Sequence, residues 1–219
     1  MDRITLELIA GVPKNGPTDP IDYYRRPVVG RLFRRRINLG LELLPARRFS
    51  RALEVGYGSG GLLLALAGSV DELHGIDLDA EPESVRRMLV ARGRRATLVQ
   101  GTVDVLPYAE NSFELIVCFS VFEHLADYRR ALGEVQRVLA PGGLFLLGMP
   151  AVNRTMEYLF RAIGHSTIND IHITTPRLIR AALAPAGFRL VAYRPLDVPL
   201  PPPFGLRVYH NWLLEKPAR

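Results

Sequence analysis

Between residues 50 and 150 the chain alternates short apolar runs with amphipathic stretches of helical period. Apolar runs at 51–55, 72–76, 97–99, 113–119 and 143–149 have the length of buried strands. Between them, 59–68, 81–92 and 127–140 carry apolar residues at steps of three and four, which predicts helices. Strands that alternate with helices imply right-handed parallel crossovers and a doubly wound sheet. Pro141-Gly142-Gly143 marks a sharp turn into the fifth strand.

The flanks read differently. Residues 1–20, with Gly11, Pro13, Gly16, Pro17 and Pro20, predict a loose irregular arm. Over 27–44 an apolar stripe (Val29, Leu32, Phe33, Ile37, Leu41, Leu44) predicts a helix, with Pro27 suited to its start and Pro45 to its stop. Arg31, Arg34 and Arg35 lie largely off that stripe, as on a solvated face. Downstream, 151–163 reads as helical and 164–173 as a polar loop. Thr175 is placed to cap a helix over 176–184 that opens on Pro176. The runs 188–194 and 207–214 read as strands joined directly through Pro195 and Pro199-Leu200-Pro201-Pro202-Pro203, which predicts an antiparallel edge to the sheet. The expectation is one α/β unit over 1–219, with a mostly parallel seven-stranded sheet and N-terminal helices.

The candidate chemistry concentrates in Leu53-Glu54-Val55-Gly56-Tyr57-Gly58-Ser59-Gly60-Gly61, a strand that breaks into spaced glycines and then a helix. Glycine admits positive φ and leaves no Cβ between backbone and ligand. The free N–H groups of the helix start then face that ligand. Gly56, Gly58 and Gly61 satisfy the dinucleotide pattern G-x-G-x-x-G. Glu54, just before the glycines, argues against a pyrophosphate, because a carboxylate repels phosphate and favours an ammonium or sulfonium group. Asp77, in His74-Gly75-Ile76-Asp77-Leu78-Asp79, falls at the carboxyl end of the second strand, where it can accept from both hydroxyls of a ribose. Its alternative is to cap the 81–92 helix, a role for which Asp79 is better placed.

Composition adjusts this picture only slightly. The chain has 219 residues, 48% of them hydrophobic, and a net charge of +6 carried by arginine, with Lys14 and Lys216 the two lysines. The positive balance favours anionic partners. Cys118 is the single cysteine, so no internal disulfide forms. No apolar run reaches the ~20 residues of a membrane span, and the N-terminus lacks a signal-peptide layout. These features point to a cytoplasmic protein and leave peripheral membrane contact open. The Arg25–Arg36 stretch lacks aromatic residues spaced for base stacking, which counts against nucleic acid.

Several ordered motifs resemble the class I S-adenosylmethionine-dependent methyltransferases, in their small-molecule, type 11-like branch. They are Glu54-x-Gly56-x-Gly58-x-Gly60, Gly75-Ile76-Asp77, Leu106-Pro107-Tyr108 with Ser112-Phe113-Glu114-Leu115-Ile116-Val117, Glu123-His124-Leu125, and Glu134-x-x-Arg137-Val138-Leu139-x-Pro141-Gly142-Gly143. The resemblance covers about residues 50–150 and implies a Rossmann-like fold, S-adenosylmethionine as cofactor and a small-molecule methyl acceptor. It implies that Gly56, Gly58 and Gly60 close on the methionine part of the cofactor, with Glu54 near its amino group. Asp77 would bind the ribose hydroxyls and Leu78 the adenine face. Thr102 stands where the family commonly has an acidic residue, so adenine recognition leans on the backbone N–H of Val103 and the carbonyl of Phe119. Tyr57 replaces a residue that is often small, and is expected to narrow the cleft. By the same resemblance, residues 1–45 cover the cleft, 50–150 form the cofactor core, and 151–219 supply the substrate side.

Methyl transfer from a sulfonium is a direct displacement, and it calls for a general base only when the nucleophile must lose a proton. His124, after the fourth strand, is the first candidate; His172 and then His165 follow. His165, Asp170 and His172 make a weak metal set, and no metal is expected. The acceptor is an O, N or C nucleophile selected by 1–45, 151–175 and 195–206, where Tyr23, Tyr24, Met156, Phe160 and Phe204 are candidate lining residues. The rival readings are a nicotinamide-dependent oxidoreductase and a non-catalytic cofactor- or nucleic-acid-binding protein.

Overall fold

In the computed structural model, residues 1–16, 19–151, 173–199 and 205–218 are described. His165 and His172, the expected 151–163 helix apart from Ala151, and Met156, Phe160 and Phe204 lie outside these residues. The elements run α1 (Ile21–Arg25), α2 (Val29–Leu41), β1 (Phe49–Val55), α3 (Gly61–Leu66), β2 (Val70–Asp77), α4 (Pro82–Ala91), β3 (Thr97–Gln100), β4 (Phe113–Phe119), a 3-10 turn (Phe122–His124), α5 (Tyr128–Val138), β5 (Leu139–Pro150), α6 (Pro176–Leu183), β6 (Arg189–Tyr193), β7 (Leu196–Pro199) and β8 (Gly205–Glu215). Helix starts follow the expected chemistry. The Asp127 carboxylate accepts from Arg130 N–H at 3.2 Å, and the Thr175 hydroxyl from Leu178 N–H at 3.4 Å.

The sheet order is β3-β2-β1-β4-β5-β8-β6, with β7 paired to β8. Strands β3 to β5 pair in parallel, and β8 runs antiparallel to β5, β6 and β7. This is the expected mostly parallel, doubly wound sheet with its antiparallel side, and β8 sits one place in from the rim. Among the described residues the sheet has eight strands where seven were expected. The extra one is β7, in the stretch taken as a stiff proline connector: Pro199 lies at the strand's end, where its missing N–H interrupts little of the ladder. Strand β5 also begins earlier than expected, at Leu139, and pairs with Phe113 before its register shifts.

Two apolar clusters fill the two faces. On one face α5 and α6 bury Leu132, Val135, Val138, Ile179 and Leu183 against Leu53, Ile116, Phe145 and Leu147. On the other, α2, α3 and α4 pack with Phe49, Ala52, Leu115 and Leu146. Ile4, Ile9 and Val12 belong to this second cluster and are almost wholly buried. The N-terminal arm is therefore a packed layer rather than a loose one. Polar contacts fix it as well: Ile4 N–H donates to Asn38 Oδ1 at 2.7 Å, and the Arg92 guanidinium donates to the Leu8 carbonyl at 2.6 Å. Gly11, Pro13, Gly16, Pro17 and Pro20 hide such an arm from pattern reading, because turn-forming residues mark it as irregular whatever its apolar positions bury.

Candidate functional site

The parallel pairing of β1 with β2 sets Glu54 opposite Gly75 and Val55 opposite Ile76. The ladder continues into the loop, where Gly56 N–H donates to the Ile76 carbonyl at 2.8 Å. Gly56, Gly58 and Gly60 all have positive φ, at 80°, 48° and 81°. A Cβ on Gly56 would lie 2.4 Å from Val121 Cγ2, and one on Gly60 would lie 2.6 Å from Val85 Cγ1. Both the backbone angle and the space therefore require glycine. Gly60, left-handed, opens α3.

Two acids meet this loop. Asp77, at the end of β2, accepts from Gly58 N–H through Oδ2 at 2.8 Å, and from Asp79 and Ala80 N–H through Oδ1, both at 2.9 Å. It thus ties the glycine loop to the β2 turn. It does not cap α4, whose N-cap is Glu81 without a side-chain bond, and neither does Asp79. An ionised carboxylate has about four acceptor positions, two on each oxygen, so Asp77, half-buried, fills Oδ1 and retains capacity on Oδ2. Glu54 is 3% exposed and its Oε2 has no hydrogen-bond partner. Burial, and then the negative charge of Asp77, hold its carboxyl well above the usual carboxylate range. A buried acceptor left orphaned beside a loop of three glycines fits a cationic N–H group of a ligand.

The other candidate residues distribute around this centre. Tyr57 does not project into open space: it is 3% exposed and its ring covers Gly75 of β2, where a Cβ would lie 2.8 Å from Tyr57 Cδ1. Its phenol has no partner, and burial pushes its ionisation up. Leu78, 59% exposed, stands on the turn after Asp77. Thr102 is half-buried after β3, and Val103 is buried in the apolar cluster beside Ile76. The Phe119 ring at the end of β4 wedges between Gly40 of α2 and Gly148 of β5. His124, on the 3-10 turn after β4, is 41% exposed at its side chain, with Nε2 4.0 Å from Glu123 Oε1.

Two groups of residues escaped pattern reading. The first is Asn15 with Asp19. Asn15 Nδ2 donates to the carbonyls of Gly58 and Glu81, both at 3.1 Å, and its Oδ1 accepts from Glu81 N–H at 3.0 Å. Asp19 accepts from Asn15 N–H at 2.8 Å and from Ser59 Oγ at 3.3 Å. The arm therefore latches the glycine loop from outside; the only trace of this in the sequence is a pair of turn-favouring residues in a Gly/Pro-rich stretch. The second group surrounds Glu123, which is 1% exposed and whose Oε2 also lacks a partner. Burial pushes its carboxyl up to about 7, against the pull of Arg36 and a hydrogen bond with Ser120. Arg36 donates to Tyr24 Oη at 3.2 Å and lies 5.0 Å over the Tyr209 ring; Tyr209 Oη and Ser120 Oγ are 2.8 Å apart. In the sequence Glu123 is visible only as part of Glu123-His124-Leu125, where the histidine draws the attention.

A doubly wound sheet with a glycine loop after β1 and acids at the ends of β1 and β2 is the nucleoside-binding class of α/β domain. Residues 53–147 match the family described as "Methyltransferase domain". Over those residues the core is similar to that family. Among curated relatives, the chain is 35% identical over 114 residues to the uncharacterized methyltransferase YcgJ of Bacillus subtilis, covering 50% of this chain and 45% of that one. It is 34% identical over 121 residues to the demethylmenaquinone methyltransferase of Thermus thermophilus, covering 53% of each. The chain thus spans about half the length of these relatives. Among solved structures, the [4+2]-cyclase SpnF superposes with a TM-score of 0.69 at 17% identity, covering 99% of this chain and 93% of that one. That likeness is one of fold alone.

Proposed function

We propose that the chain is a methyltransferase that takes S-adenosylmethionine and methylates an O, N or C nucleophile of a small molecule by direct displacement. S-adenosylmethionine, when bound, supplies a methyl group already activated by a positive sulfur, so the protein's share is proximity and alignment. The observation that carries this reading is Glu54: a buried carboxyl with an orphaned oxygen, set at the mouth of a loop whose backbone only glycine can form. Gly56, Gly58 and Gly60 present backbone to the methionine portion, and Glu54 accepts from its ammonium directly or through water. Asp77 adds the ribose hydroxyls to the loop amides it already holds. Leu78 covers one adenine face, while Val103 N–H, Thr102 and the Phe119 carbonyl meet the adenine edge. Tyr57 supports the loop from beneath by packing on β2.

His124 is the proposed general base for an acceptor that must lose a proton; His172 is the second candidate. A carboxylate at the loop mouth disfavours the nicotinamide reading, since it repels a pyrophosphate. Among the described residues no helix is long and apolar enough to cross a membrane, and cytoplasmic residence is part of this proposal. Calorimetry with S-adenosylhomocysteine tests the reading: saturable binding is expected, lost in Asp77→Ala. Absence of binding to S-adenosylmethionine and to its demethylated product, with nicotinamide dinucleotide bound instead, would overturn it. His124→Asn is expected to lower turnover of a hydroxyl or phenol acceptor while leaving cofactor affinity unchanged.

A further inference from the structure

At the far side of the sheet from the glycine loop, a cavity of about 380 Å³ opens between the first turns of α6 and strands β6 and β8. Arg177, Arg180 and Arg207 line it together with Tyr193, His210 and Trp212. The alternation of β8 puts His210 and Trp212 on one face, and the β6–β8 pairing brings Tyr193 opposite Trp212. The His210 and Trp212 rings stack at 5.1 Å with planes 9° apart, and Tyr193 lies 5.9 Å from each at about 30° (31° and 29°). The three rings pack on one another into a shelf in which Trp212 is 2% exposed and Tyr193, 37% exposed, is the most open.

The charge above that shelf is one-sided. Asp197 holds Arg207 through two bonds of 2.9 and 3.2 Å. Among the described residues, Arg177 and Arg180 have no carboxylate partner. They stand one helical turn apart on α6, exposed at their tips. Burial and Arg207 lower the His210 imidazole to about 4, so it is neutral at pH 7. Tyr193 Oη lies 2.8 Å from His210 Nδ1; a phenol that burial keeps protonated donates to that nitrogen and leaves Nε2–H as a donor.

We propose that this cavity binds a planar organic anion, a carboxylate or phosphate attached to an aromatic or conjugated body, and that this anion is the anchoring end of the methyl acceptor. Guanidinium forks match both oxyanions in geometry, and the open Tyr193 ring gives a flat body a surface on which to stack. Position supports the second half. His210 pairs with Met149 near the carboxyl end of β5, and from β1 to β8 there are three strand steps, roughly 14 Å at the usual strand spacing. An acceptor anchored here reaches across β5 and β4 toward the cofactor loop. As an acceptor site the cavity rests on the methyltransferase reading; as a binding site it does not.

Trp212 is the chain's one tryptophan, so its fluorescence reports this cavity alone. Phenyl phosphate, benzoate and inorganic phosphate are titrated against the full chain, with calorimetry as a second readout. Saturable binding of phenyl phosphate or benzoate is expected, the tighter of the two naming the anion. Inorganic phosphate is expected to bind at least roughly tenfold more weakly, having no ring to stack. In the double variant Arg177→Gln, Arg180→Gln the affinity is expected to fall roughly tenfold or more, as charge-assisted bonds are lost, with S-adenosylhomocysteine binding unchanged. No saturable binding by either readout, equal affinity in the double variant, or inorganic phosphate binding as tightly as phenyl phosphate overturns the proposal. Phenyl phosphate binding without any S-adenosylhomocysteine binding overturns the methyltransferase reading and the acceptor role, and leaves a bare anion site.

Discussion

Two glutamates sit at the carboxyl ends of neighbouring strands, Glu54 on β1 and Glu123 just beyond β4. Both are nearly wholly buried, and each leaves its Oε2 unpartnered. Their surroundings differ in sign. Glu54 faces another acid, Asp77, and glycine backbone. Glu123 faces Arg36 and the Ser120 hydroxyl, with Tyr209 behind them, and its own backbone carbonyl accepts from Ile173 and Thr174 N–H at 2.7 and 3.0 Å. The first has no cation among the charged groups that act on it. The second already has a cation nearby and braces the chain as it enters α6. Burial alone therefore does not mark a ligand site; a buried carboxyl whose only charged neighbour is another carboxyl does.

Exchange of each carboxyl for an amide separates the two roles. Glu54→Gln is expected to weaken binding of S-adenosylhomocysteine by about 2–3 kcal/mol, the scale of a lost charge-assisted bond, and calorimetry reads it directly. The wild-type affinity is expected to rise with pH, because burial and Asp77 raise the Glu54 carboxyl above the usual carboxylate range and it must be ionised to meet an ammonium. The Gln variant loses that dependence. Asp77→Ala, which removes the loop's other acid, is expected to cost about 1.5–3 kcal/mol of the same affinity.

Glu123→Gln is expected to leave cofactor affinity within about twofold while changing stability by about 2 kcal/mol at high pH. The sign follows from the raised folded pKa. The folded carboxyl holds its proton more tightly than the unfolded one, so the wild type loses stability as pH rises from about 4.5, the unfolded value, to about 7. The variant does not, and its advantage in thermal unfolding should appear at pH 8 and vanish at pH 4. Equal unfolding curves at both pH values would remove the contrast between the two glutamates. The smallest effect is expected from Asn15→Ala, about 1 kcal/mol of stability together with a few-fold loss of cofactor affinity, since Asp19 still holds Ser59 when the Asn15 bonds to Gly58 and Glu81 are lost.

The legible part of this protein is the part with a period or a steric demand. Strands β1 to β5 and helices α3 to α5 declare themselves by apolar spacing, and the loop by glycines that φ and crowding make obligatory. The antiparallel side was legible from two strands joined without a helix. What escaped has neither signal. Ile4, Ile9 and Val12 bury themselves from a turn-rich arm, and β7 forms in a proline-rich stretch because β8 offers it a partner.

The sequence alone determined which cofactor chemistry the loop suits, because the bonds at stake are local: a glycine at positive φ and an acid at the end of its own strand need only their neighbours in the chain. The tertiary structure alone decided that Asn15 grips Gly58 across 43 residues, that Tyr57 faces inward onto Gly75, that Glu123 keeps its carboxyl beside Arg36, and that three arginines line one cavity with a set of stacked rings. Such contacts join residues that the chain keeps apart, and the energy that selects them comes from burial in a shared core, which no local pattern records.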